Sequence, residues 1–272
     1  MGHTRDVIGR DTGYAFLDDG RPVLAFAHRG GALHPDIPGL ENTEAAFAHA
    51  LSLGYVYLET DVHVTSDGVL LAFHDDVLDR VTDQLGSISS QTYAQISRAR
   101  IGGHGRIPTL RELLEAFPQA RFNVDVKARG AAEVLVQVID ECRAWDRVLV
   151  GSFSRERMNA FRAAARGRVP TSAHPWEVAA FRLLPSGRLA RWVTRGHVAA
   201  LQVPHRRGWL KVVTPGLVRR AHAAGVHVHV WTVDDPKEMK ELLDRGVDGL
   251  ITDRTDILKE TLLSQGLWRE HG

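Results

Sequence analysis

The chain is short of several things, and each shortage excludes something. Cysteine occurs once, at Cys142, so there is no intramolecular disulfide and no cysteine-based zinc site. No apolar run approaches the ~18 residues of a membrane-spanning helix. Neither sign of charge dominates: 34 Lys and Arg face 33 Asp and Glu, a formal net charge of +1, which argues against nucleic acid or a membrane surface as the main partner. The opening Met1-Gly2-His3-Thr4-Arg5-Asp6 lacks the apolar core of a secretory signal, and a cytoplasmic protein is the expectation. Low-complexity segments, solenoid repeats and interdomain linkers are missing too. The 272 residues are therefore read as one domain, 1–272, with 1–20 and 262–272 as caps or loose tails.

What is present alternates between two periodicities. Short apolar runs rich in β-branched residues, suited to strands buried on both faces, fall at Val23–Ala27, Val56–Val62, Arg121–Val126, Val148–Gly151, Val169–Thr171, Ala200–Val203, His227–Trp231 and Gly249–Thr252. Helical patterns lie between them. Asn42-Thr43 opens Glu44–Leu53, Pro108-Thr109 opens Leu110–Phe117, and Ser154 opens Arg155–Ala165. Thr214-Pro215 and Asp235-Pro236 supply a cap and a first-turn proline for two more, and Gly246 reads as a C-terminal cap. Cys142 falls in the amphipathic stretch Ala131–Trp145 and is read as a buried, inert thiol. Eight strands separated by helices predict an α/β fold of the (β/α)8, or TIM barrel, class, which typically takes about 250 residues. Residues 76–107 break the pattern with a polar run that includes Thr82, Asp83, Gln84, Ser87 and Gly102-Gly103-His104-Gly105, and they predict a small loop-rich insertion on the catalytic face.

In such a barrel the C-terminal strand ends form one rim, and polar residues cluster there. His28-Arg29-Gly30-Gly31 follows the first strand, Glu59 and Asp61 share a face near the end of the second, and His74-Asp75 closes the short strand Val69–Phe73. Asp125 and Lys127 straddle Val126, Trp231 ends the seventh strand, and Asp253 follows the eighth as helix cap or substrate contact. Charges next to apolar strands cost several kcal/mol unless they are paired or hold a metal, so their repetition argues for a built site. Glu59, Asp61 and Asp125 offer the hard oxygens that suit Mg2+ or Ca2+, rather than zinc or copper. His28 and His74 suit general acid–base work, Arg29 and Lys127 supply charge for a phosphate, and Gly30 and Gly31 let the backbone approach that anion.

Other histidines are read more plainly. His34, His63 and His104 are taken as structural or surface residues, and His227 and His229 as packing or surface residues. His205 and Arg206 follow the sixth strand and are taken as structural or surface residues, with contact to a phosphate as the alternative. The basic set Arg155, Arg157, Arg162, Arg166, Arg168, Arg206, Arg207 and Lys211 is read as solvated helix faces, with attraction of an anionic substrate as the sharper alternative.

The ordered motifs Ala27-His28-Arg29-Gly30, Glu41-Asn42-Thr43, Leu58-Glu59-Thr60-Asp61-Val62, Phe73-His74-Asp75, Asn123-Val124-Asp125-Val126-Lys127, Gly151-Ser152-Phe153, Val230-Trp231-Thr232-Val233 and Gly246–Asp253 resemble the glycerophosphodiester phosphodiesterase family over roughly 23–258. The resemblance implies a TIM barrel with a small insertion after the second strand. It implies metal-dependent hydrolysis of a small-molecule glycerophosphodiester to sn-glycerol 3-phosphate and an alcohol. By position, Glu59, Asp61 and Asp125 would bind the metal, and Glu41 would orient the site or contact the metal. His28 and His74 would be the acid–base pair, Arg29 and Lys127 would hold phosphate, and Trp231 would wall the substrate. Two positions depart from the family pattern: Leu40 stands where proline commonly precedes Glu41, and Asp125 where glutamate is frequent. Attack by the substrate's own glycerol hydroxyl through a cyclic phosphate and direct attack by water are both compatible. Two competing readings are a lysophospholipase D, its mouth lined by Ile37, Leu40, Trp176, Phe181, Trp192 and Trp209, and a non-catalytic anion-binding barrel.

Overall fold

The computed structural model describes residues 12–269, so the opening Met1–Asp6 lies outside the described residues. Eight parallel strands close into a ring: β1 Leu24–His28, β2 Tyr57–Val64, β3 Arg121–Val126, β4 Val148–Gly151, β5 Thr171–Ser172, β6 Val198–Pro204, β7 His227–Trp231 and β8 Gly249–Thr252. Closure is made by β1, which pairs with β8 through Phe26↔Ile251 and with β2 through Phe26↔Tyr57. Helices connect the strands as expected, beginning with α1, Glu44–Ser52.

Local chemistry starts these helices where the sequence indicates. Thr43 accepts from Ala46 N at 3.2 Å, Thr109 and Glu112 form a reciprocal capping box, and Asp235 accepts from the backbone of Lys237 and Glu238. Each such cap is worth about 1 kcal/mol. Strands β3, β4, β7 and β8 run as predicted. The others differ at their ends: β6 extends to Val198–Pro204, and β5 shrinks to two residues with a register shift between Thr171 and Ser172. Helices Pro175–Leu183 and Gly187–Val193, both between β5 and β6, were not anticipated.

Period-two alternation divides each strand between two cores. Outward residues such as Leu58, Val62, Val124, Val150, Leu201, Val228 and Leu250 pack under the helices. Inward residues Leu24, Phe26, Tyr57, Leu149, Ala200 and Ile251 fill the barrel floor, which Phe16 and Leu17 close from below. The Tyr57 hydroxyl donates to the Phe16 carbonyl at 2.9 Å, so part of the expected N-terminal tail is a fixed plug. Above the floor the interior turns polar: the Gln202 amide donates to Asn123 Oδ1 at 3.0 Å. The insertion carries its own core of Leu71, Phe73, Leu78, Ile88, Ile96, Ile101 and Ile107, and is less loose than its composition suggests.

His229 is fully buried in this interior, with its ring centroid 4.9 Å from that of Phe26. Burial, reinforced by His227, pushes its pKa down to about 3, so the native ring stays neutral in mild acid while an unfolded chain takes up the proton. Proton uptake by the unfolded state lowers stability as pH falls, by about 1.4 kcal/mol per pH unit between the ordinary histidine value and the native one. Replacing His229 by Leu should flatten the loss of Tm between pH 6.5 and 4.5 relative to the parent. Parallel Tm–pH curves for the two proteins would show that His229 is not the acid-sensitive group.

Candidate active site

Strand register decides what meets at the rim. Asp61 of β2 is paired with Asp125 of β3, Glu59 with Asn123, and His28 of β1 with Glu59. Neighbouring strands lie about 4.8 Å apart, so the two aspartates face each other at short range. Glu59 and Asp61 are buried and Asp125 is nearly so. Two buried carboxylates so placed repel strongly unless a cation intervenes. The cation here is the Lys127 ammonium, 3.0 Å from Asp61 Oδ1 and 2.7 Å from Asp125 Oδ2. Burial opposes its charge, but the two aspartates outweigh burial and raise its pKa. Burial likewise lifts Asp125 against the pull of Lys127. Burial and the Asp61 charge push Glu59 up to about 7.

Both predicted histidines are held in the same way. His28 Nδ1 donates to Asp253 Oδ1 at 2.7 Å and its Nε2 lies 3.7 Å from Glu59 Oε2; His74 Nδ1 donates to Asp75 Oδ1 at 2.6 Å. A carboxylate only accepts, so each contact fixes the proton on Nδ1. In His28, burial disfavours the charged ring, yet Glu59 and Asp253 together raise its pKa. His63, read as structural, has that kind of role: its Nε2 lies 3.0 Å from the His74 carbonyl, so it braces the segment that carries His74.

Arg29 and Glu41 belong to a second network. Arg29 Nη1 donates to Glu41 Oε1 at 3.1 Å, and its Nε lies 3.3 Å from Asp61 Oδ2 without hydrogen-bond geometry. Arg80, from the insertion, donates to both Glu41 oxygens at 2.9 and 2.7 Å and to Asp75 Oδ2 at 2.6 Å. Despite partial burial, Arg80 and His74 hold Asp75 down to about 2. Both Glu41 oxygens are thus engaged by guanidinium groups. Trp231 stands edge-on to the exposed ring of Phe153, centroids 5.7 Å apart, and Lys127 Nζ lies 5.7 Å from the centre of the Phe153 ring.

Several expectations are corrected. Gly30 and Gly31 have positive φ and also meet close packing: a Cβ on Gly30 would lie 2.7 Å from Ala46 Cβ, and one on Gly31 2.9 Å from Thr255 Oγ1. Asp253 does not cap the helix Thr255–Ser264, whose N-cap is Arg254; its side chain holds His28. His205 is buried between Glu238 and Arg245, away from any anion role. The basic set is partly structural: Arg157 donates to the Lys127 carbonyl and to Ser152, Arg162 pairs with Glu177, and Arg168 stacks 3.6 Å over Trp145. Sequence reasoning missed the roles of Asp75, Arg80 and Phe153. Asp75 and Phe153 stood inside quoted motifs, whereas Arg80 gave no periodic or motif signal.

The donor set fits a hard divalent cation. Six carboxylates (Glu41, Glu59, Asp61, Asp75, Asp125 and Asp253) share this rim with three fixed cations, Arg29, Arg80 and Lys127. Asp61 Oδ2 and Asp125 Oδ1 are buried without a hydrogen-bond partner, a deficit that a bound cation would relieve.

Residues 28–257 match the model of the glycerophosphoryl diester phosphodiesterase family. The chain is 40% identical over 260 residues to a probable glycerophosphodiester phosphodiesterase 2 of Mycobacterium tuberculosis, covering 92% of this chain and 98% of that protein. It is 27% identical over 279 residues to the rat (Rattus norvegicus) lysophospholipase D GDPD1, covering 87% and 85% of the two chains. The fold superposes with a TM-score of 0.71, at 22% identity, on an Oleispira antarctica phosphodiesterase solved in complex with the product sn-glycerol-3-phosphate, covering 88% of this chain and 96% of that one. With its barrel, its rim and its sequence all in agreement, the chain belongs to the glycerophosphoryl diester phosphodiesterase family, a family of hydrolytic enzymes.

Proposed function

We propose that the barrel and its insertion form one catalytic unit. It hydrolyses glycerophosphodiesters to sn-glycerol 3-phosphate and an alcohol, with His28 and His74 as the proton-transfer pair. The observation that carries this reading is the matched pair of Nδ1–carboxylate contacts, His28–Asp253 and His74–Asp75. Each leaves Nε2 as the nitrogen able to exchange a proton with substrate. The raised pKa of His28 suits a group that is protonated for part of the cycle. A non-catalytic barrel would have no need for two such dyads.

Glu59, Asp61 and Asp125 would hold a divalent cation, Mg2+ or Ca2+. When bound, it would neutralise charge on the phosphate. Lys127, between Asp61 and Asp125, and Arg29, beside Asp61 and Glu41, hold positive charge at the rim for the phosphate's other oxygens. Phe153 and Trp231 form a wall next to Lys127, where the glycerol or the head group would rest. Glu41 and Arg80 fix the Arg29 and Asp75 side chains.

A lysophospholipase D reading has its own support in Trp176, Trp192 and Trp209, which are 75%, 77% and 93% exposed. The rest of its expected apolar mouth falls away, because Ile37, Leu40 and Phe181 are buried. Turnover of a panel of glycerophosphodiesters and lysolipids, with Mg2+, Ca2+ or EDTA, separates the two readings. Deacylated substrates are expected to be faster, and a clear preference for lysolipids would reverse the assignment.

Three further outcomes are expected. His28→Ala and His74→Ala each lower kcat by about 100-fold or more, the scale of lost acid–base catalysis, with the fold intact by circular dichroism; near-normal rates would remove that histidine from the chemistry. Asp253→Asn, which touches the site only through His28, lowers kcat about tenfold with KM little changed. A rise in KM at unchanged kcat would place Asp253 in substrate binding instead. Glu59→Gln and Asp61→Asn raise the metal concentration needed for half-maximal activity by about tenfold or more, as removal of a ligand should. Superimposable metal titrations would exclude them as ligands.

A further inference from the structure

A second cluster of potential ligands lies on the loop that joins β1 to α1, outside the rim network. His34 sits in a tight turn whose backbone bonds run from His34 N to the Gly31 carbonyl and from Ile37 N to the His34 carbonyl. His49 lies in the last turn of α1, and the two imidazole centroids are 4.4 Å apart. Asp36 faces both rings: its Oδ2 is 3.9 Å from His34 Nδ1 and 3.6 Å from His49 Nε2. One ligand atom from each of the three residues lies within 4.8 Å of the others.

These distances discriminate between two explanations. They exceed the roughly 2.7–3.2 Å of a hydrogen bond, so Asp36 does not satisfy either ring in that way. They fall within the separation of two ligands on one ion with bonds of about 2.0–2.2 Å, which spans about 3.3 Å at a tetrahedral angle to ~4.2 Å across the ion. The nitrogen of the second ring that faces Asp36 is His49 Nε2; its Nδ1, on the other side of the ring, is buried with no hydrogen-bond partner. His34 Nδ1 accepts a hydrogen bond from Asp36 N at 3.1 Å, a contact that an ion taken by that nitrogen would displace. The Asp36 side chain is 72% exposed, so an ion has open access from solvent and positions left for water.

We propose that His34, Asp36 and His49 form a second metal site, separate from the rim and selective for a borderline ion of the Zn2+ class. Two imidazoles and one carboxylate favour such ions over Mg2+ or Ca2+, which prefer all-oxygen shells. Ligands drawn from the loop and from α1 would clip that loop, which also carries Arg29 and Glu41, to the helix behind it. Ion binding to the native state alone raises its stability by mass action.

The test is isothermal titration with Zn2+ and, in parallel, Tm measured with and without Zn2+. Both use the full chain in saturating Mg2+ and Ca2+, for the parent, Asp36→Ala and His49→Gln. The parent should bind one equivalent of Zn2+ more than either variant and show a Zn2+-dependent rise in Tm that both variants lose. Asp36 is exposed and outside the catalytic rim, so its variant should match the metal-free Tm of the parent and serves if His49→Gln unfolds. The same Zn2+ stoichiometry and Tm rise in the parent and in Asp36→Ala, or no Zn2+ uptake by the parent beyond what both variants show, overturns the proposal.

Discussion

The structure depends on one electrostatic constraint: parallel pairing of β2 with β3 sets Asp61 opposite Asp125 at the mouth of a closed barrel. The same register places His28 beside Glu59. A barrel has no edge along which charges could be moved apart, so cations must come to them. Lys127 does so between the two aspartates, and Arg29 lies beside Asp61. Oxygens nevertheless remain unsatisfied on Asp61 and Asp125, and Glu59 is pushed toward protonation. A site that keeps buried negative charge in excess is poised to take up a further cation or a proton.

Strand β2 is also the scaffold on which the rest of the rim is hung. Its Glu59 carbonyl accepts from Arg29 N, its Asp61 carbonyl from Phe73 N, and its Val62 carbonyl from Lys127 N. Three separate segments thus start from neighbouring stretches of one strand, Glu59 to Val62. Arg29 meets this demand with φ of 51°, a left-handed conformation that costs a non-glycine residue about 1–3 kcal/mol. The loop tolerates it because Asn42 N donates to the Arg29 carbonyl at 2.8 Å, and the buried Asn42 side chain is itself anchored by the Thr60 hydroxyl. The Glu-Asn-Thr motif is therefore a chain of three tasks: Glu41 grips Arg29, Asn42 locks the loop, and Thr43 caps α1.

The sequence made legible whatever follows from periodicity and strand ends. Strands β3, β4, β7 and β8 announce themselves by apolar runs bounded by turns, and period-two alternation places Glu59, Asp61, Asp125 and Lys127 on the inner face. Strand β5 was harder to read because two residues carry no period, and Thr171 is held by Arg162 and by the His197 carbonyl more than by a ladder. The partners of the histidines were hidden for a different reason. Asp253 lies 225 residues from His28, and only closure of the ring between β8 and β1 brings them to 2.7 Å. His205 misled because a histidine just past a strand looks the same whether it faces the rim or, as here, turns back to Glu238 and Arg245 on the helix side.

The insertion shows why a compact arm is needed where the sequence suggests only a polar loop. His74 is 33% exposed and held by one short hydrogen bond to its immediate neighbour, too little to fix a ring. Orientation comes from outside that pair: Arg80 grips Asp75 and reaches across to Glu41, which in turn grips Arg29. A guanidinium at a loop tip would lose this geometry to chain entropy. The buried cluster around Leu78, Ile88, Ile96 and Ile101 gives the Arg80 backbone a rigid base. The small core of the insertion and the His74–Asp75 pair are thus parts of one device, linked by a single arginine that bridges Asp75 and Glu41.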